Sequence, residues 1–166
     1  MPVGRRFAVI VAGGQGRRMN NEVPKQFIEI SGKPILVYTL ESFLRVEVDV
    51  LILVMAKDHF ERWASIKEQW LPKHSIQIVD GGETRFHSVK NGLKWVEGPG
   101  IVAIHDAARP CVSAQLINAG YEAAAIHKSA VASVALKDSI REKSGGTTVS
   151  RDRSNYYLIQ TPQTFD

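Results

Sequence analysis

A glycine-rich stretch with several cations is the part of the chain best suited to chemistry. Residues 12–27 read AGGQGRRMNNEVPKQF and follow directly on the apolar run FAVIV at 7–11. Glycines let backbone N–H groups approach an anion without a Cβ in the way, while Arg18 offers phosphate oxygens a planar fork and Lys25 a compact charge. The stretch therefore predicts a phosphate site. The alternative is a structural turn with solvated arginines.

The spacing of these glycines excludes two common phosphate motifs. A dinucleotide fingerprint requires G-x-G-x-x-G, but Gly14 and Gly16 are followed by Arg17, Arg18 and Met19, and no G-x-x-x-x-G-K-[ST] segment occurs. The stretch instead continues without clear helix signals to Lys25. That length could surround a triphosphate and supply a second cation, which suits the charge of a phosphoryl-transfer transition state.

A carboxylate is expected beside this loop. Asp106 follows the apolar run at 101–104, so it should lie at the carboxyl edge of the same sheet. There it could hold a hard divalent cation against phosphate oxygens, because one carboxylate plus substrate phosphates is a common Mg²⁺ environment. The alternative is a loop-capping aspartate. The histidines at His59, His74, His87 and His127 show no spacing typical of metal ligands.

Apolar runs alternate with amphipathic stretches along the chain, which predicts an α/β fold. Strands are expected at 7–11, 50–55, 76–79, 101–104 and 130–135. Helices are expected from Pro34 to Leu44, from Asp58 to Trp70 with Asp58 and Glu61 in capping-box spacing, from Thr84 to Val96 and from Ser113 to His127. The pattern indicates a three-layer, mostly parallel, Rossmann-like sheet with helices on both faces.

The polar segment KDSIREKSGGTTVSRDRSN at 137–155 interrupts this alternation. Gly145 and Gly146 lie at its middle, so we expect a β-arm that protrudes from the core. The alternative is a plain surface hairpin. Apart from the arm, residues 1–166 are expected to form a single domain, since this length supports one ordinary core.

The composition of the chain limits the classes of molecule that it is expected to bind. The net charge is +4, and its basic residues are dispersed, which favours a small anion and disfavours a nucleic-acid surface. Cys111 is the single cysteine, so there is no disulfide framework, and we expect it to be a small buried apolar residue in a protein of the reducing cytoplasm. The short N-terminal apolar run predicts neither a signal peptide nor a membrane span.

Five sequence blocks resemble a known family. AGGQGRRM followed by PKQF resembles the sugar-phosphate nucleotidylyltransferase superfamily; adding GGETRFHSV at 81–89, HDAARP at 105–110, DR at 152–153 and QTPQTF at 160–165, the chain resembles the 2-C-methyl-D-erythritol 4-phosphate cytidylyltransferase family. The resemblance implies transfer of CMP from CTP to methylerythritol phosphate, with release of pyrophosphate, in non-mevalonate isoprenoid synthesis. It also implies that Arg18 and Lys25 are catalytic.

The same resemblance implies further roles. Asp106 would hold Mg²⁺, with Mn²⁺ as an alternative. Arg109 and Thr161 would bind methylerythritol phosphate, aided across a homodimer interface by Ser139 and Arg153 in the arm. Helix capping by Thr84 and a solvated Ser88 are the alternatives for the block at 81–89. The implied nucleotide-binding residues are Ala12, Gly13, Gly14, Gly16, Arg18, Lys25, Gly82, Glu83, Ser88, Asp106 and Ala107.

Three further points qualify the cytidylyltransferase assignment: the role of His105, the extent of the family's domain and the alternative functions. His105 is not expected to act as a base, because a phosphate monoester with a second pKa of about 6 is already an anion. Chains of the family continue past the T-P-Q block to a T-D-D segment and a late lysine, so the family's domain is expected to be incomplete here. A ribitol 5-phosphate cytidylyltransferase and a catalytically silent nucleotide-binding subunit remain as alternatives.

Overall fold

A six-stranded sheet in the order β5-β4-β1-β6-β10-β7 organises the computed structural model, which describes residues 4–13 and 23–166. Two small two-stranded sheets, β2-β3 and β8-β9, accompany it. The strands are β1 Arg5–Val11, β2 Glu29–Ile30, β3 Lys33–Pro34, β4 Val50–Met55, β5 Gln77–Asp80, β6 Gly100–Asp106, β7 Ser129–Ala135, β8 Ile140–Ser144, β9 Thr147–Arg151 and β10 Tyr157–Phe165.

The main sheet is mostly parallel, as the sequence predicts. β1 pairs in parallel with both β4 and β6, and β4 pairs in parallel with β5. β10 is the exception: it runs antiparallel between β6 and β7 and separates them. The five predicted strands are confirmed within two residues of their predicted ends. β10 was not predicted, because its inner half carries Gln160, Pro162 and Gln163 where a buried strand would show an apolar run.

Helices cover both faces of the sheet, which confirms the predicted layering. One face packs against α1 Ile35–Leu44, α2 Phe60–Trp70 and α4 Ala114–His127. α3 Arg85–Leu93 lies on the other face, against valines of β1, β4 and β5. The strand residues alternate accordingly, since Ala8 and Ile10 belong to the first core and Val9 and Val11 to the second.

The predicted helix starts are partly wrong. Pro34 precedes the first helix, which begins at Ile35, a one-residue difference that is normal at helix ends. The capping box at Asp58 and Glu61 does not form: residues Lys57–His59 make a 3₁₀ turn, and α2 begins at Phe60 without a side-chain cap. Thr84 and Ser113 do cap their helices, because their hydroxyls accept from the backbone N–H groups of His87 and Leu116.

α3 sits close to the sheet because it contains Gly92. A Cβ built on Gly92 would lie 2.6 Å from a methyl carbon of Val9 and 2.8 Å from one of Val54. Any larger residue would therefore push the helix away from the strands. This contact holds the carboxyl end of α3 against β1 and β4.

The polar segment at 137–155 contains the predicted hairpin. β8 and β9 pair antiparallel, with Ser144 opposite Thr147, and Gly145 and Gly146 form the turn with φ of 53° and 83°. Both glycines occupy the left-handed region that this two-residue turn requires. The residues of the hairpin strands are almost all exposed, which confirms an arm outside the core. No helix in the described parts of the chain is long and apolar enough to cross a membrane.

Candidate active site

The carboxyl ends of four parallel strands meet at one edge of the sheet. Backbone hydrogen bonds tie the residues that leave these strands: Ala12 N–H donates to the Val54 oxygen at 2.7 Å, and Ala107 N–H donates to the Val11 oxygen at 3.0 Å. Gly81 N–H similarly donates to Met55 at 2.9 Å. The predicted loops after β1, β5 and β6 therefore lie side by side, at the edge where open α/β sheets bind ligands.

Gly13, Gly82 and Ser88 form a tight cluster between the first two of these loops. Ser88 is fully buried, and its hydroxyl oxygen accepts from Gly82 N–H at 3.0 Å while its O–H donates to the Thr84 oxygen at 3.0 Å. A Cβ on Gly13 would lie 2.9 Å from that hydroxyl oxygen, and one on Gly82 would lie 2.3 Å from the Cβ of His87. Both positions require glycine, and the alternative of a solvated Ser88 is wrong.

Lys25 lies on a short turn that is anchored by the buried side chains of the two residues after it. The turn is a 3₁₀ helix, Lys25–Phe27, in which Phe27 is buried in the core and Gln26 is nearly as buried. The amide of Gln26 donates to the Ala12 oxygen at 2.8 Å. This bond ties the turn that carries Lys25 to the start of the glycine-rich loop. Lys25 itself is half-buried.

Asp106 is held by two arginines, one on each carboxylate oxygen. Arg85 Nε donates to Oδ1 at 3.0 Å, and Arg109 Nε donates to Oδ2 at 3.0 Å. Arg85 is the first residue of α3, so this ion pair joins the loop after β5 to the loop after β6. Arg109 also donates through Nη1 to the side-chain oxygen of Gln160 on β10.

The inner side of this cluster is supported by Thr161 and His105. The backbone N–H of Asp106 donates to the Thr161 hydroxyl at 3.3 Å, and Thr161 is buried where the register of β10 shifts. His105 is fully buried, and its Nε2–H donates to the Arg109 oxygen at 3.0 Å. Burial lowers the pKa of His105, because the imidazolium would lose its hydration. Its Nδ1 has no hydrogen-bond partner among residues 4–13 and 23–166.

A pocket of about 400 Å³ opens beside Arg109. Arg109, Thr161, Gln160 and His105 line it together with residues of β7 and the start of α4. Cys111 also lines it and is exposed, so the expectation of a buried cysteine is wrong. The turn after Pro110 directs this residue outward, whereas its neighbour Val112 is buried. The pocket is large enough for a small phosphorylated polyol.

Two predicted site residues, Ser139 and Arg153, are not brought to this edge by the structure, and three others are not described. Gly14, Gly16 and Arg18 lie outside the described residues. Ser139 and Arg153 lie in the arm, where Arg153 Nη1 donates to the Lys137 oxygen at 2.6 Å, and no described hydrogen bond or ion pair joins either residue to Asp106 or Arg109. The remaining predicted residues are at the edge: Ala12, Gly13, Lys25, Gly82, Glu83, Ser88, Asp106, Ala107, Arg109 and Thr161.

Three residues at this edge were not predicted: Gln26, Arg85 and Gln160. Gln26 and Arg85 lie inside the blocks PKQF and GGETRFHSV. Their membership of these blocks could have marked them as candidate site residues. Gln160 could be placed only after β10 was known to lie beside β6. Arg85 pairs with Asp106 across 21 positions of sequence, a contact that depends on the sheet order.

Asp106 is suited to hold a cation that arrives with a nucleotide. Among the described residues, no group of three or more histidine, cysteine or acidic side chains could hold a metal ion. One carboxylate with phosphate oxygens and water is nevertheless an environment that Mg²⁺ accepts. Each oxygen of Asp106 accepts one arginine N–H and retains acceptor capacity. The donor set therefore fits Mg²⁺ bound mainly by phosphates.

The fold and the loops at its carboxyl edge define an α/β nucleotidyltransferase domain. A family model described as 2-C-methyl-D-erythritol 4-phosphate cytidylyltransferase (IspD) matches residues 7–166. The chain belongs to this family. The matched region contains all five sequence blocks, and not only the glycine-rich loop that the wider superfamily shares.

Relatives and solved structures agree with this family. A Bacteroides fragilis protein with the family's name is 45% identical over 164 residues, which cover 97% of this chain and 74% of that protein. One from Bacteroides thetaiotaomicron is 39% identical over 98% of this chain and 74% of its own length. The crystal structure of 4-diphosphocytidyl-2C-methyl-D-erythritol synthase from Anaerococcus prevotii superposes with a TM-score of 0.85 at 30% identity, covering 98% of this chain and 71% of that one.

Proposed function

We propose that the chain transfers CMP from CTP to 2-C-methyl-D-erythritol 4-phosphate and releases pyrophosphate, as its family's name describes. One observation carries the proposal: the Gly13–Ser88–Gly82 cluster, the Lys25 turn and the Asp106–Arg109 pair lie at one sheet edge in a chain that matches the family over residues 7–166. A nucleotide site on one side of Asp106 and a phosphate site on the other suit a reaction between two phosphates.

The chemistry is an in-line displacement at phosphorus. An oxygen of the methylerythritol phosphate attacks the α-phosphorus of CTP, a new P–O bond forms, and the bond to pyrophosphate breaks. Lys25 and Arg18 stabilise the negative charge that spreads over the transferring group. The attacking oxygen is already anionic, so no general base is needed. His105 is fully buried and kept neutral by that burial, and it serves to hold the Arg109 backbone.

The nucleotide is bound by the loops after β1 and β5. Gly13 and Gly82 let these two loops pack closely against Ser88 and His87, and Ser88 fixes the distance between the loops. Glu83 is exposed at the rim of the same loop. Asp106 would be the protein ligand of Mg²⁺, which would supply neutralisation of the phosphate charge.

The methylerythritol phosphate is bound in the 400 Å³ pocket beside Arg109. A guanidinium at its mouth can form two parallel hydrogen bonds to a phosphate. Thr161 and Gln160 are the polar groups placed to orient hydroxyls of the polyol, and the apolar wall from Val112 and Leu116 suits its methyl branch. The chain functions in the reducing cytoplasm, where an exposed Cys111 persists as a thiol.

The active form is a homodimer through the arm. β7 is the outer strand of the sheet, and exposed apolar side chains continue from it onto the outer half of β10. An uncovered strand edge with apolar neighbours favours pairing with a second copy. A C2 dimer would place each arm, with Ser139 and Arg153, at the partner's pocket. The exposed apolar residues are Val131, Val134, Tyr157, Leu158 and Ile159.

Pyrophosphate release tests the proposed reaction. The chain is incubated with CTP and Mg²⁺, and either methylerythritol phosphate or ribitol 5-phosphate is added. We expect release with the former only, and loss of release when the divalent cation is chelated. Release with ribitol 5-phosphate alone would assign the other cytidylyltransferase activity. Full activity in chelator would contradict the role of Mg²⁺.

A further inference from the structure

Arg85 is bound to Asp106, the residue at the junction of the two proposed binding sites. Its Nε lies 3.0 Å from Oδ1 of Asp106, and Arg109 Nε lies 3.0 Å from Oδ2. The two arginines approach from different elements, Arg85 from the first position of α3 and Arg109 from the loop after β6. The carboxylate is thus held at both oxygens, which fixes its plane.

The backbone of Arg85 is fixed by the nucleotide side of the edge. Thr84, the residue before it, caps α3, and Ser88 N–H donates to the Thr84 oxygen at 3.0 Å. Ser88 is in turn bonded to Gly82. A chain of short contacts therefore leads from the loop after β5 through Arg85 to Asp106. Beyond Asp106 it continues through Arg109 to Gln160 on β10.

Stability does not account for this ion pair. The Arg85 side chain is 48% exposed and that of Asp106 is 29% exposed. Pairs with this exposure typically contribute about 0–1 kcal/mol to folding, because water and salt screen them. Charge does give the pair a consequence: before any cation binds, the two guanidiniums and one carboxylate leave one net positive charge beside the pocket that Arg109 lines. Without Arg85, Asp106 would neutralise Arg109.

We propose that Arg85 is a positioning residue, which holds Oδ1 of Asp106 so that Arg109 keeps an uncompensated positive charge for the phosphate of the second substrate. The inference rests on the proposed function, because it assigns the pocket beside Arg109 to that phosphate. Arg85 acts through Asp106 and not by contact with either substrate. Its removal should therefore affect the second substrate more than the nucleotide, and only while Asp106 is present.

A double-mutant cycle tests this proposal. Arg85→Gln should raise KM for methylerythritol phosphate about tenfold, within the range of coupling between residues in one network. KM for CTP should change less than threefold, by roughly the loss of one screened charge. In the Asp106→Asn background, assayed at higher enzyme concentration, Arg85→Gln should add less than a twofold change. Arg85→Lys keeps the charge without the planar fork and should restore part of the loss.

Controls separate this role from simpler ones. Lys90→Gln removes an exposed cation from the same helix and should leave both KM values unchanged. Thermal melts of all variants should agree with the wild type. Additive effects of Arg85→Gln and Asp106→Asn would mean that Arg85 touches a substrate, and a lowered melting temperature with both KM values raised equally would mean a structural role; either result overturns the proposal. An inactive wild-type chain would instead contradict the proposed function itself, and the inference with it.

Discussion

The two sides of the sheet edge consist of different kinds of residue. The side proposed to bind the nucleotide, after β1 and β5, consists of glycines and a fully buried serine that touch at distances where even a Cβ would collide. The substrate side, around Asp106 and Arg109, consists of charged side chains that are between a quarter and a half exposed. One side is defined by close packing and the other by charge.

This difference predicts how each side fails. Packed glycines and buried hydroxyls tolerate no added volume, so a small substitution should move the backbone proposed to bind the nucleotide. Exposed charges tolerate volume but are sensitive to neutralisation and to salt. Lys25 combines both properties. Its turn is held by the buried Gln26, while its own side chain remains partly accessible.

The largest effect is expected from Lys25→Ala, and Arg18→Ala should act in the same direction. Each removes a cation that is proposed to act on the transferring phosphate, which should raise the barrier by about 2 to 4 kcal/mol, by analogy with the loss of an oxyanion-hole donor. Melting temperatures should stay close to the wild type. Steady-state kinetics beside thermal melts measure both, with Lys73→Ala, an exposed cation in a surface turn, as the control. Near-wild-type turnover in both variants would contradict their catalytic assignment.

Gly13→Ala tests the packed side. The new Cβ would lie 2.9 Å from the Ser88 hydroxyl oxygen, so either loop must shift, at a cost of about 1 to 3 kcal/mol typical of overpacking. We expect weaker CTP binding in calorimetry and a lower melting temperature. Gly4→Ala is the matched control, since its Cβ would come no closer than 3.4 Å to any atom. Unchanged CTP affinity in Gly13→Ala would remove the distinction between the two sides.

Arg153→Ala tests the charged side across the proposed dimer interface. KM for methylerythritol phosphate should rise about tenfold, the size of one lost charge-assisted hydrogen bond, while CTP binding stays nearly intact. Mixing Arg153→Ala with Lys25→Ala then locates the residue. If Arg153 serves the partner's pocket, exchanged heterodimers carry both lesions in one site and leave the other whole, so activity returns. Mixing that restores nothing would place Arg153 in its own chain's site.

The smallest effect concerns pH and His105, which supports the charged side from the core. Burial lowers the folded-state pKa of His105 from 6.5, so below pH 6.5 the unfolded chain binds a proton that the folded chain does not. The free energy of unfolding should therefore fall as pH decreases from 6.5 towards the folded-state pKa, by at most about 1.4 kcal/mol per unit. His105→Gln keeps a donor for the Arg109 oxygen and should remove this slope, measured by denaturant titration, whereas exposed His127→Gln should not.

Periodicity and motif spacing predicted much of the fold and the site. The runs FAVIV at 7–11 and VLILVM at 50–55 could hardly be anything but buried strands, and Thr84 and Ser113 precede their helices with the residue types that cap them. Asp58 and Glu61 show the limit of such patterns, since a 3₁₀ turn displaces the start of α2 past them. Local spacing cannot tell which of two overlapping turns will form.

Contacts between distant residues were not predictable in the same way. The burial of Ser88, the ion pair of Arg85 with Asp106 and the bond from Arg109 to Gln160 all depend on which strand lies beside which. β10 is the clearest case, because its partners β6 and β7 lie before it in sequence and are separated from each other by α4. A strand inserted between two earlier ones leaves no trace in the order of apolar runs.

The place of β10 also affects the order of assembly during synthesis. Residues 157–165 emerge from the ribosome after the five other described strands of the sheet, yet β6 and β7 are joined through them. Until then the nascent chain carries two open strand edges, and the loop to be closed between β6 and β10 spans the residues from 107 to 156. Such long-range closure slows folding and exposes pairing surfaces to other chains. Chains whose translation stops before residue 157 should therefore aggregate instead of forming a smaller stable sheet.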